Sequence, residues 1–276
     1  MSSTFSKHSI LLWVLMFLSL TLSCKKPTVT SYSDVDAIKD YIYTHPSIFS
    51  ADVFDTSSTD PDFYRQITKR DNWIKIDFYE SDSFFTKYAY VNWDDSILGF
   101  FHTFISGQEY TRNIKAFSRV KAYFEQWGNS GDVYRGWLLM KVSNLLTYST
   151  QNYVGFNSVR VTYSGSTQTV APNSLYDIGN VLQFPKNSEV SFSIDVSDVS
   201  DFYYLHIYEG GSWRKIPFQK VSSNEFKAVW TTSSQDLNTY KHAYIDCIDS
   251  LSVNKPDTTQ KYDSETWGIM YQIINP

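Results

Sequence analysis

The stretch WIKIDFY, Trp73 to Tyr79, decides the fold because its apolar and polar residues nearly alternate. Alternation with a period of two is typical of a β-strand with one buried face, since successive side chains point to opposite sides. TKYAYVNW, Thr86 to Trp93, repeats the pattern, and ILGFFHTFI, Ile97 to Ile105, is a third run. Asp94 and Asp95 lie between the second and third runs and are typical turn residues. Three antiparallel strands are therefore predicted.

Two further runs extend this sheet toward the carboxyl terminus. RNIKAFSRVKAYFEQW covers Arg112 to Trp127, and VYRGWLLMKVSNLL covers Val133 to Leu146. The turn residues NSGD separate them. A glycine inside a strand marks a bend, so Gly136 in the last run predicts curvature of the sheet.

Helices are predicted before the sheet. Ser33 or Asp34 can cap a helix that stops at Pro46, and a second short helix is predicted at residues 61–69. Helices followed by a meander of long strands favour an α+β domain with a curved antiparallel sheet, which we place at residues 33–146.

The element order and the closing strand GWLLMKVS resemble the cone-shaped fold of nuclear transport factor two and scytalone dehydratase. In that family a bent sheet wraps helices and leaves an open pocket, and its enzymes place polar residues there, often a histidine. The resemblance makes His102 the candidate pocket residue, because it is the one histidine inside the predicted sheet. Phe100 and Phe104 share its face, so His102 faces an apolar pocket or an apolar core. We favour the core.

Beyond residue 158 the sequence indicates short strands and no helix. The polar segment TYSTQNYVGFNS, residues 147–158, is interpreted as a linker, and EGGS, Glu209 to Ser212, as a hairpin turn. An all-β sandwich domain is therefore predicted at residues 159–276; it looks immunoglobulin-like without the paired cysteines of antibody domains. Its predicted strands are residues 159–163, 189–196, 202–208, 213–219, 225–230, 242–249 and 267–273.

The amino terminus carries a short apolar run. Thirteen uncharged residues, Ile10 to Leu22, follow a basic start, whereas a membrane-spanning helix needs about 20. Ser23 then precedes Cys24, as a small residue precedes the modified cysteine of a bacterial lipoprotein signal. Thr21 and Leu22 are interchanged relative to the usual order, so the resemblance is to a relaxed signal of the kind common in the Bacteroidota group. It implies a signal peptide at residues 1–23.

The lipoprotein resemblance implies an anchor and an address. Cys24 would carry two or more acyl chains, which together hold a protein on a membrane without a spanning helix. Residues 24–32 would form the lipidated tether. Lys25 follows the cysteine where inner-membrane lipoproteins carry aspartate, which favours the outer membrane of the cell envelope; the periplasmic and surface faces both remain open. Ordinary secretion and an uncleaved anchor are the alternatives.

The composition of the chain limits which classes of partner we expect. The net charge of −5 becomes −6 once residues 1–23 are removed, because that segment carries Lys7 and no acidic residue. An acidic chain is not expected to bind nucleic acid. Cys247 is the only cysteine after Cys24, and in an alternating stretch it is typical of a small buried side chain. The aromatic fraction of 17% fits either a large core or a surface that binds proteins or glycans.

The sequence contains no recognisable catalytic or metal-binding motif. The histidines of the mature chain lack metal-ligand spacing, and the chain has no Gly-rich phosphate loop or nucleophile elbow. The carboxylate pairs Asp60/Asp62 and Asp94/Asp95 are typical of turns or of solvated surface. We therefore expect no catalytic residue, no metal and no cofactor.

Three functions remain, in this order of preference. The first is a membrane-anchored envelope lipoprotein that acts as a binding or scaffold module for an envelope protein or a glycan. The second is an accessory subunit of a larger envelope assembly. The third is a small-ligand carrier or enzyme that uses a pocket in the first domain, beside His102.

Overall fold

The computed structural model describes residues 32–52, 54–57, 62–82, 87–151, 153–235, 237–256 and 259–275. The predicted signal peptide and Cys24 lie outside these residues. The chain from Asp34 to Pro276 forms one compact unit. Strands hold 60% of the described residues and helices hold 12%, so strand pairing dominates the fold.

The described part of the chain contains three short α-helices, two 3₁₀ helices (Val133–Gly136 and Ile178–Asn180) and sixteen strands. The α-helices are α1 (Asp34–Thr44), α2 (Pro46–Phe49) and α3 (Ser250–Asn254). The strands are β1 (Phe63–Glu80), β2 (Lys87–Ile105), β3 (Gln108–Gln126), β4 (Trp137–Ser143), β5 (Leu145–Ser149), β6 (Phe156–Tyr163), β7 (Ser166–Val170), β8 (Leu175–Asp177), β9 (Leu182–Pro185), β10 (Glu189–Val196), β11 (Phe202–Glu209), β12 (Ser212–Pro217), β13 (Gln219–Lys220), β14 (Glu225–Thr231), β15 (Lys241–Ile248) and β16 (Ser264–Ile274).

The strands form two sheets. The large sheet has eleven strands with the main order β1-β2-β3-β5-β16-β15-β11-β12, and the short strands β4, β8 and β9 pair beside this path. The small sheet has five strands in the order β13-β14-β10-β6-β7. All named pairings are antiparallel except that of β9 with β16.

One hydrophobic core lies between the two sheets. Phe192 and Trp230 of the small sheet join Leu205, Ile245 and Ile269 of the large sheet in this core. The small sheet therefore covers one face of β11, β15 and β16, which gives this part of the molecule a sandwich-like architecture. We call this side of the large sheet the outer face.

A second core lies on the opposite, inner face of the large sheet. Ile38 and Ile42 of α1 pack there, together with Phe101, Phe124 and Trp137. Burial on β3 alternates along nearly the whole strand, because every second side chain points into this core. The predicted first helix is confirmed: it begins at Asp34 and ends before Pro46.

The second and third predicted strands are one strand in the structure, which corrects the turn predicted at Asp94 and Asp95. Both residues lie inside β2 and are buried. The carboxylate of Asp94 is tolerated there because it accepts a hydrogen bond from Nε of Arg119, its cross-strand neighbour, at 2.5 Å. A cross-strand ion pair of this kind cannot be identified before the register is known.

Two other local predictions were wrong. The helix predicted at residues 61–69 is a strand from Phe63 onward, because β1 begins there and pairs with β2, with Phe63 opposite Thr103. Gly136 does not bend a strand; it ends a turn, with φ of 75°, and β4 begins after it. A Cβ at Gly136 would lie 2.3 Å from the Cα of Gly128, so this close approach requires glycine.

The predicted linker at residues 147–158 contains most of β5, which pairs with both β3 and β16. Strands from both predicted domains therefore belong to the same large sheet, where the sequence had suggested a boundary. Each of the seven strands predicted after residue 158 overlaps a strand of the structure, and the hairpin at Glu209 to Ser212 joins β11 to β12.

Candidate functional site

Among the described residues, the small sheet does not pack on the outer face of β1, β2 and β3, and many side chains of that face are partly or fully exposed. Leu146 of β5 packs on the core between the sheets, and its cross-strand neighbour Arg119 points to the same side. Because side chains two residues apart share a face, Lys121, Tyr123 and Glu125 continue this row along β3. The outer face thus extends from the covered sandwich onto an open part of the sheet.

Four tyrosines meet on this open part, and we call them the tyrosine surface: Tyr79, Tyr88, Tyr90 and Tyr123. Tyr79 lies opposite Tyr88 across β1 and β2, and Tyr90 lies opposite Tyr123 across β2 and β3. The ring centroids of each opposite pair are 5.1 Å apart. Tyr79 is 46% exposed and Tyr90 is 44% exposed, so the rings contact one another at the surface.

Three neighbouring side chains extend the tyrosine surface. The indole nitrogen of Trp127 donates a hydrogen bond of 2.8 Å to Glu125, and the exposed Leu138 lies opposite Glu125 on β4. Loss of water, with the negative charge of Glu125, raises the pKa of Tyr123 to about 12. The Tyr123 hydroxyl therefore keeps its proton at neutral pH and stays a hydrogen-bond donor.

His102 also lies on the outer face, at the other end of β2. Phe100 and Phe104 share that face, as predicted from their spacing. The Tyr64 ring stacks on the imidazole at 4.2 Å, and Nδ1 lies 2.6 Å from Glu109. His102 does not line the cavity of the inner face that is described below.

A cluster of buried charges lies on the inner face. Arg65 of β1 donates hydrogen bonds to Asp246 of β15 at 2.7 Å and to Asp55 at 3.1 Å. Thr266 of β16 donates to the other oxygen of Asp246 at 2.8 Å. Burial alone would raise the pKa of Asp246, but the charge of Arg65 and the contact with His206 lower it to about 2. Asp246 is therefore ionised throughout the physiological range.

Asp55, Asp246 and His206 are residue types that can hold a metal ion, and they lie close together. However, Nδ1 of His206 faces Asp55 at 3.6 Å, whereas Nε2 faces Asp246 at 3.5 Å. One atom from each of the three residues lies within 4.8 Å of the other two, so distance alone does not decide against an ion. Arg65 donates hydrogen bonds to both carboxylates and offsets one of their two negative charges, so we interpret the cluster as an ion-pair network that joins β1, β11 and β15.

A cavity of about 60 Å³ lies beside this network on the inner face. Apolar side chains from three strands and two arginines line it. The hydroxyl of Tyr244 donates to Asp52 at its rim, at 2.9 Å. The lining residues are Ala51, Asp52, Phe54, Arg65, Ile67, Arg70, Ile97, Ile114, Ala116, Thr147, Tyr244, Tyr262, Ser264 and Thr266.

Comparison with known proteins found no matching family model, no matching curated protein and no matching solved structure. Across the described ranges, no helix has the length and apolar character needed to cross a membrane.

Sequence reasoning missed both the tyrosine surface and the residues of the cavity. Tyr88 and Tyr90 stand two apart in TKYAYVNW, which places them on one face of a strand. That signal was available, but the contributions of Tyr79 and Tyr123 depend on the pairing register. Arg65 and Asp246 are far apart in sequence, and no pattern in the chain links them.

Proposed function

We propose that this protein is a lipid-anchored module of the bacterial cell envelope that binds a protein partner through the tyrosine surface. The observation that carries the proposal is the contact of four tyrosines on an uncovered sheet face, next to Trp127 and Leu138. Tyrosine and tryptophan are enriched in protein interfaces, because they bury a large area at low cost in conformational entropy. An exposed aromatic group of this kind is unusual on a surface with no partner.

The ring geometry favours a protein over a glycan. Tyr79 and Tyr88 stack with 13° between their planes, so each ring covers one face of the other. The rings of Tyr88 and Tyr90 meet at 90°, edge to face. Sugar stacking needs open aromatic faces, whereas here much of the ring area is used between the tyrosines. Ring edges and hydroxyl groups suit a protein surface that offers both apolar contacts and hydrogen-bond acceptors.

The lipid anchor rests on the sequence resemblance around Cys24, which lies outside the described residues. We expect mass spectrometry of the mature protein, isolated from membranes of its natural host, to find an acylated Cys24 as the first residue. A mature chain that begins elsewhere, or an unmodified Cys24, would contradict the anchor. The placement in the outer membrane is part of the same proposal.

The finer fold interpretations also remain proposals. The face-to-face packing of the small sheet on β11, β15 and β16 supports an immunoglobulin-like arrangement. The helices on the inner face of a long-stranded sheet support the cone-like interpretation of the first half.

Site-specific photo-cross-linking in cells tests the binding proposal. A photoreactive phenylalanine derivative replaces Tyr90 in one strain and Tyr153 in another; Tyr153 is 86% exposed and lies outside the tyrosine surface. We expect a discrete adduct with one envelope protein at position 90 and not at position 153. Identical adduct patterns at both positions, or a glycan as the adduct at position 90, would contradict the proposal. An adduct with a subunit of a stable assembly would support the accessory-subunit form of the proposal.

A further inference from the structure

The cavity on the inner face has an apolar wall built by three neighbouring strands. Ile67 comes from β1, Ile97 from β2, and Ile114 and Ala116 from β3. Ile97, Ile114 and Ala116 are buried, so this wall is part of the core. Such a wall favours the apolar part of a ligand over water.

Two arginines line the same cavity, but their surroundings differ. Arg65 forms ion pairs with two carboxylates, those of Asp55 and Asp246, which together exceed its single positive charge. Arg70 donates one hydrogen bond to the carbonyl oxygen of Ala51, and its Nε is buried without a partner in the described part of the chain. Within the described ranges, no carboxylate forms an ion pair with Arg70. Its guanidinium group therefore keeps both a charge and a buried donor that an anionic ligand could satisfy.

The carboxylates of Asp52 and Asp95 lie near Arg70 but form no ion pair with it in the described part of the chain. The carboxylate of Asp52 accepts a hydrogen bond from Tyr244. Burial raises the pKa of Asp52 and of Asp95. The positive charge of Arg70 lowers both pKa values, but it does not outweigh burial. Arg70 thus sits close enough to influence both groups without being neutralised by a direct contact.

We propose that this cavity binds a short-chain monocarboxylate. The carboxylate of the ligand accepts hydrogen bonds from Arg70, including the one from Nε, and its alkyl tail lies against Ile67, Ile97 and Ile114. The cavity volume of about 60 Å³ is several times the roughly 10–15 Å³ that one water molecule needs by the same kind of measure, so the cavity admits a short alkyl tail and not a long one. Butyrate is a short-chain acid of this class. The site is on the opposite face of the sheet from the tyrosine surface and does not depend on it.

The test measures butyrate binding to the chain without residues 1–23 by isothermal titration calorimetry, with 1-butanol as the neutral probe of similar size and octanoate as the longer acid. Arg70→Gln removes the charge, and Ala116→Leu fills the cavity without touching Arg70. Lys69→Gln is the matched control, because Lys69 neighbours Arg70 on β1 but is exposed. Circular dichroism of each variant checks that it is folded, and Ala116→Val replaces Ala116→Leu if the larger side chain prevents folding.

We expect butyrate to bind the wild type and the Lys69→Gln variant equally. Loss of a charge-assisted hydrogen bond should weaken binding about tenfold or more in Arg70→Gln, and the filled cavity should abolish it. Octanoate should bind more weakly than butyrate. The proposal is overturned if millimolar butyrate does not bind the wild type, if Arg70→Gln binds as well as the wild type, or if butanol binds as tightly as butyrate.

Discussion

Arg65 and His242 are both buried, but Arg65 is charged and His242 is neutral. Arg65 donates hydrogen bonds to Asp246 of β15 and to Asp55 and Tyr262, which lie in two loops. His242 is 3% exposed, and neither ring nitrogen has a hydrogen-bond partner within the ranges that the structure describes. Arg65 is therefore charged in the folded protein, whereas the imidazole ring of His242 is neutral.

The buried neutral state of His242 predicts a loss of stability in weak acid. Burial lowers the pKa of His242 from 6.5 to about 4. Between these values the unfolded chain binds a proton that the folded chain does not, so the free energy of unfolding falls as the pH decreases from about 6.5 to about 4. The decrease should be about 2–3 kcal/mol, since one pKa unit corresponds to about 1.4 kcal/mol.

Urea unfolding at pH 7.0 and pH 4.5 measures this effect in the wild type and in His242→Phe. We expect the variant to lose most of the difference between the two pH values. His45→Gln is the control, because His45 is only half-buried and its Nδ1 lies 2.7 Å from the carbonyl oxygen of Tyr41. An unchanged pH dependence in His242→Phe would show that the proton is taken up elsewhere.

The pair of Arg65 and Asp246 predicts a strong energetic coupling. Removing one partner leaves the other charge buried and unmatched, so Arg65→Met and Asp246→Asn should each lower the free energy of unfolding by about 3–5 kcal/mol. The double variant should lower the free energy of unfolding by much less than the sum of the losses in the two single variants. A double-mutant cycle by urea unfolding measures the coupling, with the exposed pair Lys75 and Asp77 as the control that shows none. Additive losses at Arg65 and Asp246 would contradict the network.

The long strands β1 and β2 are joined through a close approach at Gly99. Strand β1 shifts register between Ile67 and Lys69, and Gly99 pairs with Ile67 at this irregularity. A Cβ at Gly99 would lie 2.2 Å from the carbonyl oxygen of Gln66, which is backbone and cannot rotate away. Glycine at this position therefore allows the bulge and the bend of the two strands.

Gly99→Ala should destabilise the protein because the two strands must separate locally to admit the methyl group. We expect a loss of about 1–3 kcal/mol in the free energy of unfolding, measured in urea. Gly131→Ala is the control: a Cβ there meets nothing within 4 Å, and the change should stay within about 0.5 kcal/mol. Equal effects of the two substitutions would mean that the approach at Gly99 does not constrain the strands.

The sequence predicts helices and strands well where apolar residues recur with one clear period. It predicts them poorly where contacts between strands determine the local structure. Alternation located β3 and seven of the eleven strands from β6 onward, and Pro46 marked the end of α1. It missed the short strands β7, β8, β9 and β13, and the helix α3 in a region where no helix was predicted. Asp94 was assigned to a turn because local chemistry favours acids there, but the cross-strand contact with Arg119 overrides that preference. The turn before β4 was missed because Arg135 is held by Asp34, about 100 residues earlier in the chain.

At the level of the complete chain, the two-domain interpretation came from a polar segment that turned out to hold β5. Strand β5 lies between β3 and β16 and so joins the two halves of the large sheet. No local pattern in TYSTQNYVGFNS reveals that its first residues pair with strands on both sides. The tyrosine surface is likewise a product of the assembled sheet, because its four members come from three strands.

The central claim is that the tyrosine surface binds this protein to a partner. The native mass of the protein, extracted with mild detergent from cells of its natural host, tests this claim most directly. Size-exclusion chromatography with light scattering compares the wild type, Tyr90→Ser/Tyr123→Ser and the control Tyr153→Ser. We predict that the wild type and the control elute in a complex with a second protein, and that the double variant elutes alone. Equal masses for all three, or a complex made only of copies of this chain, would contradict the claim.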